Sequence, residues 1–149
     1  MALSCNPNNY RKMNPQPIEL QNGDRLLLVS LNKTYDQSKA EGVYKREDLY
    51  EAVRKYWRVS KQRADKADYV LGIYKGIVMV VLKPTCEWQP VYESSDGTIF
   101  PNVRYMVEGE IIDDSPYLGK SVADYPFGSG GSIAYVPKDK NIWNNNKHK

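Results

Sequence analysis

Two apolar runs joined by two residues constrain this chain most. Tyr69-Val70-Leu71-Gly72-Ile73-Tyr74 and Ile77-Val78-Met79-Val80-Val81-Leu82 flank Lys75-Gly76. A two-residue connection ending in Gly, between β-branched and aromatic segments, is a hairpin signal. The sequence therefore predicts a β-hairpin over residues 68–82, with Pro84 ending the second strand because proline cannot donate to a ladder. Nearly continuous apolar strands of this kind are buried on both faces, so other elements must cover them.

The remaining signals are consistent with one domain. Asn22-Gly23-Asp24 reads as a turn before Leu26-Leu27-Leu28-Val29, a short apolar run of strand length. From Arg46 to Trp57 the apolar residues Leu49, Val53, Tyr56 and Trp57 recur at helical spacing. Acidic residues stand in the first turns of this segment and basic residues near its end, which suits a helix dipole. Trp88–Glu93 and Arg104–Ile112 read as further strands, with a turn at Ser94-Ser95-Asp96-Gly97, and Ile133–Val136 as a short last one. Residues 117–125 read as a short helix or turn. The expected architecture is α+β: a bent antiparallel sheet or small barrel with one main helix packed across it. Residues 1–17 are expected to be a disordered leader, 18–137 a single domain, and 138–149 a disordered polar tail.

Composition narrows the function classes. No stretch approaches the run of about 20 apolar residues that crosses a membrane as a helix, and the N-terminal region lacks an apolar signal core. A cytoplasmic location without membrane association is the expectation. Cys5 and Cys86 read as free thiols. The one histidine, His148, leaves no basis for a Ser-His-Asp or Cys-His arrangement, or for a metal site built on His and Cys. No phosphate-binding glycine motif is present. None of the eighteen Asp and Glu is followed two positions later by Lys, the triplet common in metal-dependent nucleases. The sequence points to no cofactor and no metal.

Charge and aromatic content point elsewhere. The chain carries +3 overall, yet Arg54–Lys66 alone holds six basic residues against Asp65, a local +5. The segment from Lys138 onward adds another +3, so the remainder is net −5. A local basic segment on an acidic background attracts phosphates, although it also serves as an ordinary solvated surface. The chain has twelve Tyr and three Trp against two Phe, and Tyr and Trp suit half-buried sheet as well as ligand contact. The candidate nucleic-acid-binding residues are Trp57, Arg58, Lys61, Arg63, Tyr74, Lys75, Trp88 and Arg104. Aromatic faces stack on bases, and Arg and Lys neutralise phosphates. Trp57 also extends the helix stripe, so core packing is its competing role. Glu108 and Glu110, with Asp113-Asp114 following, leave acid–base chemistry open, but a solvated strand face is the favoured explanation of the two glutamates.

The segments from Asp48-Leu49-Tyr50-Glu51-Ala52-Val53-Arg54-Lys55-Tyr56-Trp57-Arg58-Val59 through Ala67-Asp68-Tyr69-Val70-Leu71-Gly72-Ile73-Tyr74-Lys75-Gly76-Ile77-Val78 to Trp88 resemble a family of small uncharacterised bacterial proteins. This resemblance covers roughly residues 25–112, and more loosely the chain is similar to PUA-like domains, the superfamily that includes EVE and ASCH domains. That resemblance implies a bent β-barrel with helices at its side that binds RNA or modified DNA bases. It would put Trp57 and Arg58 at the wall of a ligand cleft, with Tyr74 and Trp88 nearby. The sequence expectation is thus a non-enzymatic module whose partner is RNA, DNA or a nucleotide. A protein–protein interaction or regulatory role is the alternative, and a small carboxylate enzyme using Glu108, Glu110 or Asp113 with Arg104 is the third reading.

Overall fold

The computed structural model describes residues 15–21, 23–32, 48–94, 96–127, 131–138 and 143. The strands form two sheets, and the helices are short. Their elements are β1 (Leu26–Ser30), α1 (Leu49–Arg54), β2 (Lys55–Trp57), α2 (Lys61–Ala64), β3 (Tyr69–Tyr74), β4 (Ile77–Pro84), β5 (Gln89–Glu93), β6 (Ile99–Met106), β7 (Gly109–Ile111) and β8 (Ile133–Val136). A five-stranded sheet has the order β7-β4-β3-β1-β8, and a three-stranded sheet the order β2-β6-β5. The class is α+β.

The hairpin forms where the sequence predicts it. Lys75 and Gly76 have φ of 51° and 81°, the doubly left-handed turn that matches strand twist. Leu26 to Val29 are completely buried. Leu27 and Val29 join a cluster with Val53, Val70, Val80, Leu82, Trp57 and Trp88, whereas Leu26 and Leu28 join one with Leu71, Ile73, Val81 and Tyr117. The alternation along β1 therefore feeds two cores, one on each face of the large sheet. α1 and α2 lie with the first core, and the residues around Ile18, Tyr117 and Val122 close the second. Tyr117 donates to Asp24 Oδ2 at 2.6 Å and accepts from the Gln21 N–H at 2.9 Å, fastening the last of these segments to the chain before β1.

The structure corrects several expectations. The large sheet is mixed: β1 and β3 are parallel, in register Leu26↔Tyr69 to Ser30↔Ile73. A parallel pair needs a long crossover, which residues 31–68 supply. Neither sheet closes into a barrel among the described residues. The single helix expected over 46–57 ends at Arg54, and Lys55–Trp57 turn into β2, pairing with β6 through Lys55↔Met106 and Trp57↔Tyr105. Tyr and Trp favour strands, and pairing across the sheet overrides a helical spacing that would suit them equally. The strand expected over 104–112 is two strands, because the chain leaves the small sheet at Met106 and joins β4 at Gly109. The turn-or-helix segment 117–125 contains turns and no helix. Pro17, assigned to the leader, bridges to Ser121, and Trp143, assigned to the tail, is buried in the first core. The other leader and tail calls, for residues 1–14, 139–142 and 144–149, lie outside the described residues.

Arg54 secures the junction of the two sheets. It is buried; its Nε donates to Val107 O at 2.9 Å, and its own carbonyl accepts from the Val107 N–H. Its guanidinium meets Glu51 Oε1 at 2.8 Å and the outer Glu108 carboxylate at 3.6 Å. Glu51 Oε1 also takes Lys55 Nζ at 2.8 Å. Burial opposes ionisation of Glu51, but the hydrogen bonds from Lys55 and Arg54 outweigh it and hold this carboxyl below its ordinary range.

Two predictions follow from these contacts. A Cβ on Gly72 would stand 2.6 Å from Val80 Cγ1 and 2.7 Å from Leu31 Cδ1, so Gly72→Ala forces the core apart. Its cost is about 1–3 kcal/mol, read as a lower urea midpoint with an unchanged m-value. Because the folded-state pKa of Glu51 is depressed, its ionisation stabilises the fold at neutral pH, and that contribution is lost as pH falls through the folded value. Glu51→Gln should lower the urea midpoint at pH 7, and its difference from the wild type should narrow as pH falls below the ordinary value of 4.5.

Candidate basic pocket beside β8

α2 is one turn, capped at its start by the Ser60 side chain and at its end by Asp65. Asp65 is fully engaged: Oδ2 takes Lys61 Nζ at 2.6 Å and Oδ1 accepts from the Trp88 N–H at 2.8 Å. Lys61 also reaches Glu87 at 2.9 Å. Its hydrogen bonds to Asp65 and then to Glu87 raise its pKa. Lys61 is therefore a neutralised cation, not a free one.

Arg63 leaves the same turn in another direction. Its guanidinium carbon lies 5.3 Å from the centre of the Tyr135 ring, and among the described residues it has no carboxylate partner. Tyr135 in turn meets Trp143 edge-on, with ring centres 5.3 Å apart. The Ser60 N–H donates to the Tyr135 hydroxyl at 2.8 Å. Burial pushes the Tyr135 phenol above its ordinary pKa, and neither that N–H nor Arg63 reverses the shift. Trp143 donates its indole N–H to Pro137 O, and its carbonyl accepts from Lys66 Nζ at 2.8 Å. Arg63, Tyr135, Trp143 and Lys138, with Pro126, Ile133 and Ala134, line a pocket of about 330 Å³.

The topology explains the convergence. β8 runs antiparallel to β1, with Tyr135 opposite Leu27 and Val136 opposite Leu26. β3 starts opposite Leu26, directly after α2. The end of β8 and the entry to β3 thus share one end of the large sheet. Tyr74 and Lys75 stand at the far end of β3, roughly 17 Å away along a six-residue strand. Lys75 lies over the Tyr74 ring at 5.3 Å and donates its N–H to Asn32.

The structure separates the eight candidate residues accordingly. Trp57 is a core residue, only 8% exposed, with its indole N–H donated to Val53 O at 2.9 Å. Trp88 is completely buried, and its indole N–H has no partner among the described residues. The expectation that Trp57 lines a cleft wall with Trp88 nearby is not met, because both rings are buried in the first core. Arg104 belongs to the small sheet, lying 5.1 Å from the Phe100 ring centre and donating to Tyr56 O at 3.3 Å. Arg58 is exposed in the link between β2 and α2. Of the eight, only Arg63 lines the pocket. The other pocket residues that carry chemistry, Tyr135, Lys138 and Trp143, were missed. The available signals were the basic charge from Lys138 onward and the lone Trp143 in a polar stretch.

Glu108, Glu110, Asp113 and Asp114 are exposed, and Arg104 lies on the other sheet, so they do not assemble the carboxylate site considered from sequence. Among the described residues no three His, Cys, Asp or Glu cluster as metal ligands. No described helix is long and apolar enough to cross a membrane. No family model, curated protein or solved structure matches this chain.

These placements distinguish structural from exposed members of the basic–aromatic run. Trp57→Ala should cost about 3–5 kcal/mol by thermal or urea unfolding, because it empties a packed site and frees the Val53 carbonyl. Arg58→Ala should stay within about 0.5 kcal/mol of the wild type.

Proposed function

We propose that this protein is a non-enzymatic binding module for nucleic acid or a nucleotide, acting through the basic pocket beside β8. One observation carries the reading: Arg63 and Lys138 line a concave site and have no carboxylate partner among the described residues, while Lys61 and Lys55 are neutralised. An unpaired guanidinium held against an aromatic ring is a ready partner for phosphate, because its geometry is fixed before the ligand arrives. Arg58 is a further exposed cation on the same connecting segment, between Trp57 and α2. The PUA-like resemblance points to the same ligand class, and the reading does not draw on it.

Tyr92 and Ile99, 66% and 73% exposed on β5 and β6, favour a second reading, a protein partner on the small sheet. Scattered exposed apolar residues are common, so the basic pocket is preferred.

The expected result is single-stranded oligonucleotide or nucleotide binding that weakens steeply with salt, as counterions are released on association. Fluorescence anisotropy between about 50 and 200 mM salt measures it. The double variant Arg58→Ala with Arg63→Ala should lose most of the affinity while melting normally. Salt-indifferent binding, or unchanged affinity in that variant, would contradict the reading.

A further inference from the structure

The pocket's donor set and size narrow the ligand. This step rests on the functional reading above. Among the described residues its charged lining groups are Arg63 and Lys138, both donors, and none of the described lining residues is acidic. Such a lining recognises an unprotonated anion and has no carboxylate to accept a proton from one. A volume of about 330 Å³ lies at the small end of ligand sites and is enough for one nucleotide. Tracking an internal backbone needs a row of unpaired cations along a groove. The described surface lacks that row near α2, since Lys61 is tied to Asp65 and Glu87, and Lys55 to Glu51.

Charge points the same way. An internal phosphodiester carries one negative charge, whereas a phosphomonoester carries between one and a half and two at pH 7, with a second pKa near 6. Two cations on one small pocket match the monoester. Tyr135 and Trp143 fix one of those cations: the ring lies under Arg63, and Trp143 is pinned by Lys66 through its carbonyl and by Pro137 through its indole. We propose that this pocket binds a terminal phosphomonoester, carried by a free nucleoside monophosphate or by the 5′ end of a strand.

Isothermal titration of the full chain tests it with two matched pairs. These are adenosine 5′-monophosphate against adenosine, and a short single strand with a 5′-phosphate against the same strand with a 5′-hydroxyl. The phosphorylated member of at least one pair should bind roughly 10- to 100-fold more tightly, the usual size of a charged hydrogen-bonded contact. Which pair responds identifies the source of the phosphate. Lys138→Gln, at an exposed position, should cost about 10-fold while leaving the melting temperature unchanged. Arg63→Gln should cost at least as much, and Arg63→Lys should restore part of it. Equal binding of the phosphorylated and unphosphorylated members in both pairs would overturn the monoester assignment and leave nucleic-acid binding standing. Failure of every probe to bind would overturn both. A folded Lys138→Gln protein with unchanged affinity for the phosphorylated probe would overturn the assignment to this pocket.

Discussion

The parallel pairing of β1 with β3 determines where everything else goes. Both strands are buried on both faces, so hydrogen bonding and packing act on them from every side. Parallel neighbours cannot be joined by a turn, and the chain must leave one end of the sheet and return to the other. That return path holds α1, β2 and α2 against the face bearing Leu27 and Val29. It also delivers α2 to the end of the sheet where β8 finishes. Arg63 and Lys138, 75 positions apart in sequence, line one pocket because of that topology.

Arg54 shows how the basic segment is divided between structure and surface. Its guanidinium and carbonyl both engage Val107, where the chain passes from the small sheet to the large one. A buried cation is costly unless its donors and charge are matched. Glu51 and Glu108 provide that match, and Glu51 also neutralises Lys55. Lys61 is absorbed by Asp65 and Glu87, while Lys66 is used to hold the Trp143 carbonyl. The +5 read from the sequence is therefore a poor measure of the field a ligand would meet. Within Arg54–Lys66, Arg58 and Arg63 are the arginines left without a carboxylate partner among the described residues.

The hairpin at Lys75-Gly76, the buried run of β1 and the final strand β8 were legible because each carries its signal locally, in turn chemistry or apolar length. The end of α1 was not. Tyr56 and Trp57 fit the helical stripe and also fit a strand, and the pairing with β6 that decides between them lies about fifty residues away. The same limit applies to the pocket. Arg63 was visible as a basic residue near aromatics, but its aromatic neighbour is Tyr135, not the adjacent Trp57. Trp143 sits in a polar stretch whose composition gives no hint that an indole there would be fully packed.

The aromatics therefore take a different role from the one their sequence neighbourhood suggests. A base-stacking platform needs an open ring face. Trp57 and Trp88 have none, being buried in the first core. Tyr135 already contacts the Arg63 guanidinium, the Trp143 ring and the Ser60 N–H. In the proposed site its contribution would be to hold a cation in place, which would reduce the ordering cost of an arginine on binding. A site of this kind gains more from the charge at the end of a ligand than from the identity of its base. Sequence preference would then have to come from surfaces outside the pocket.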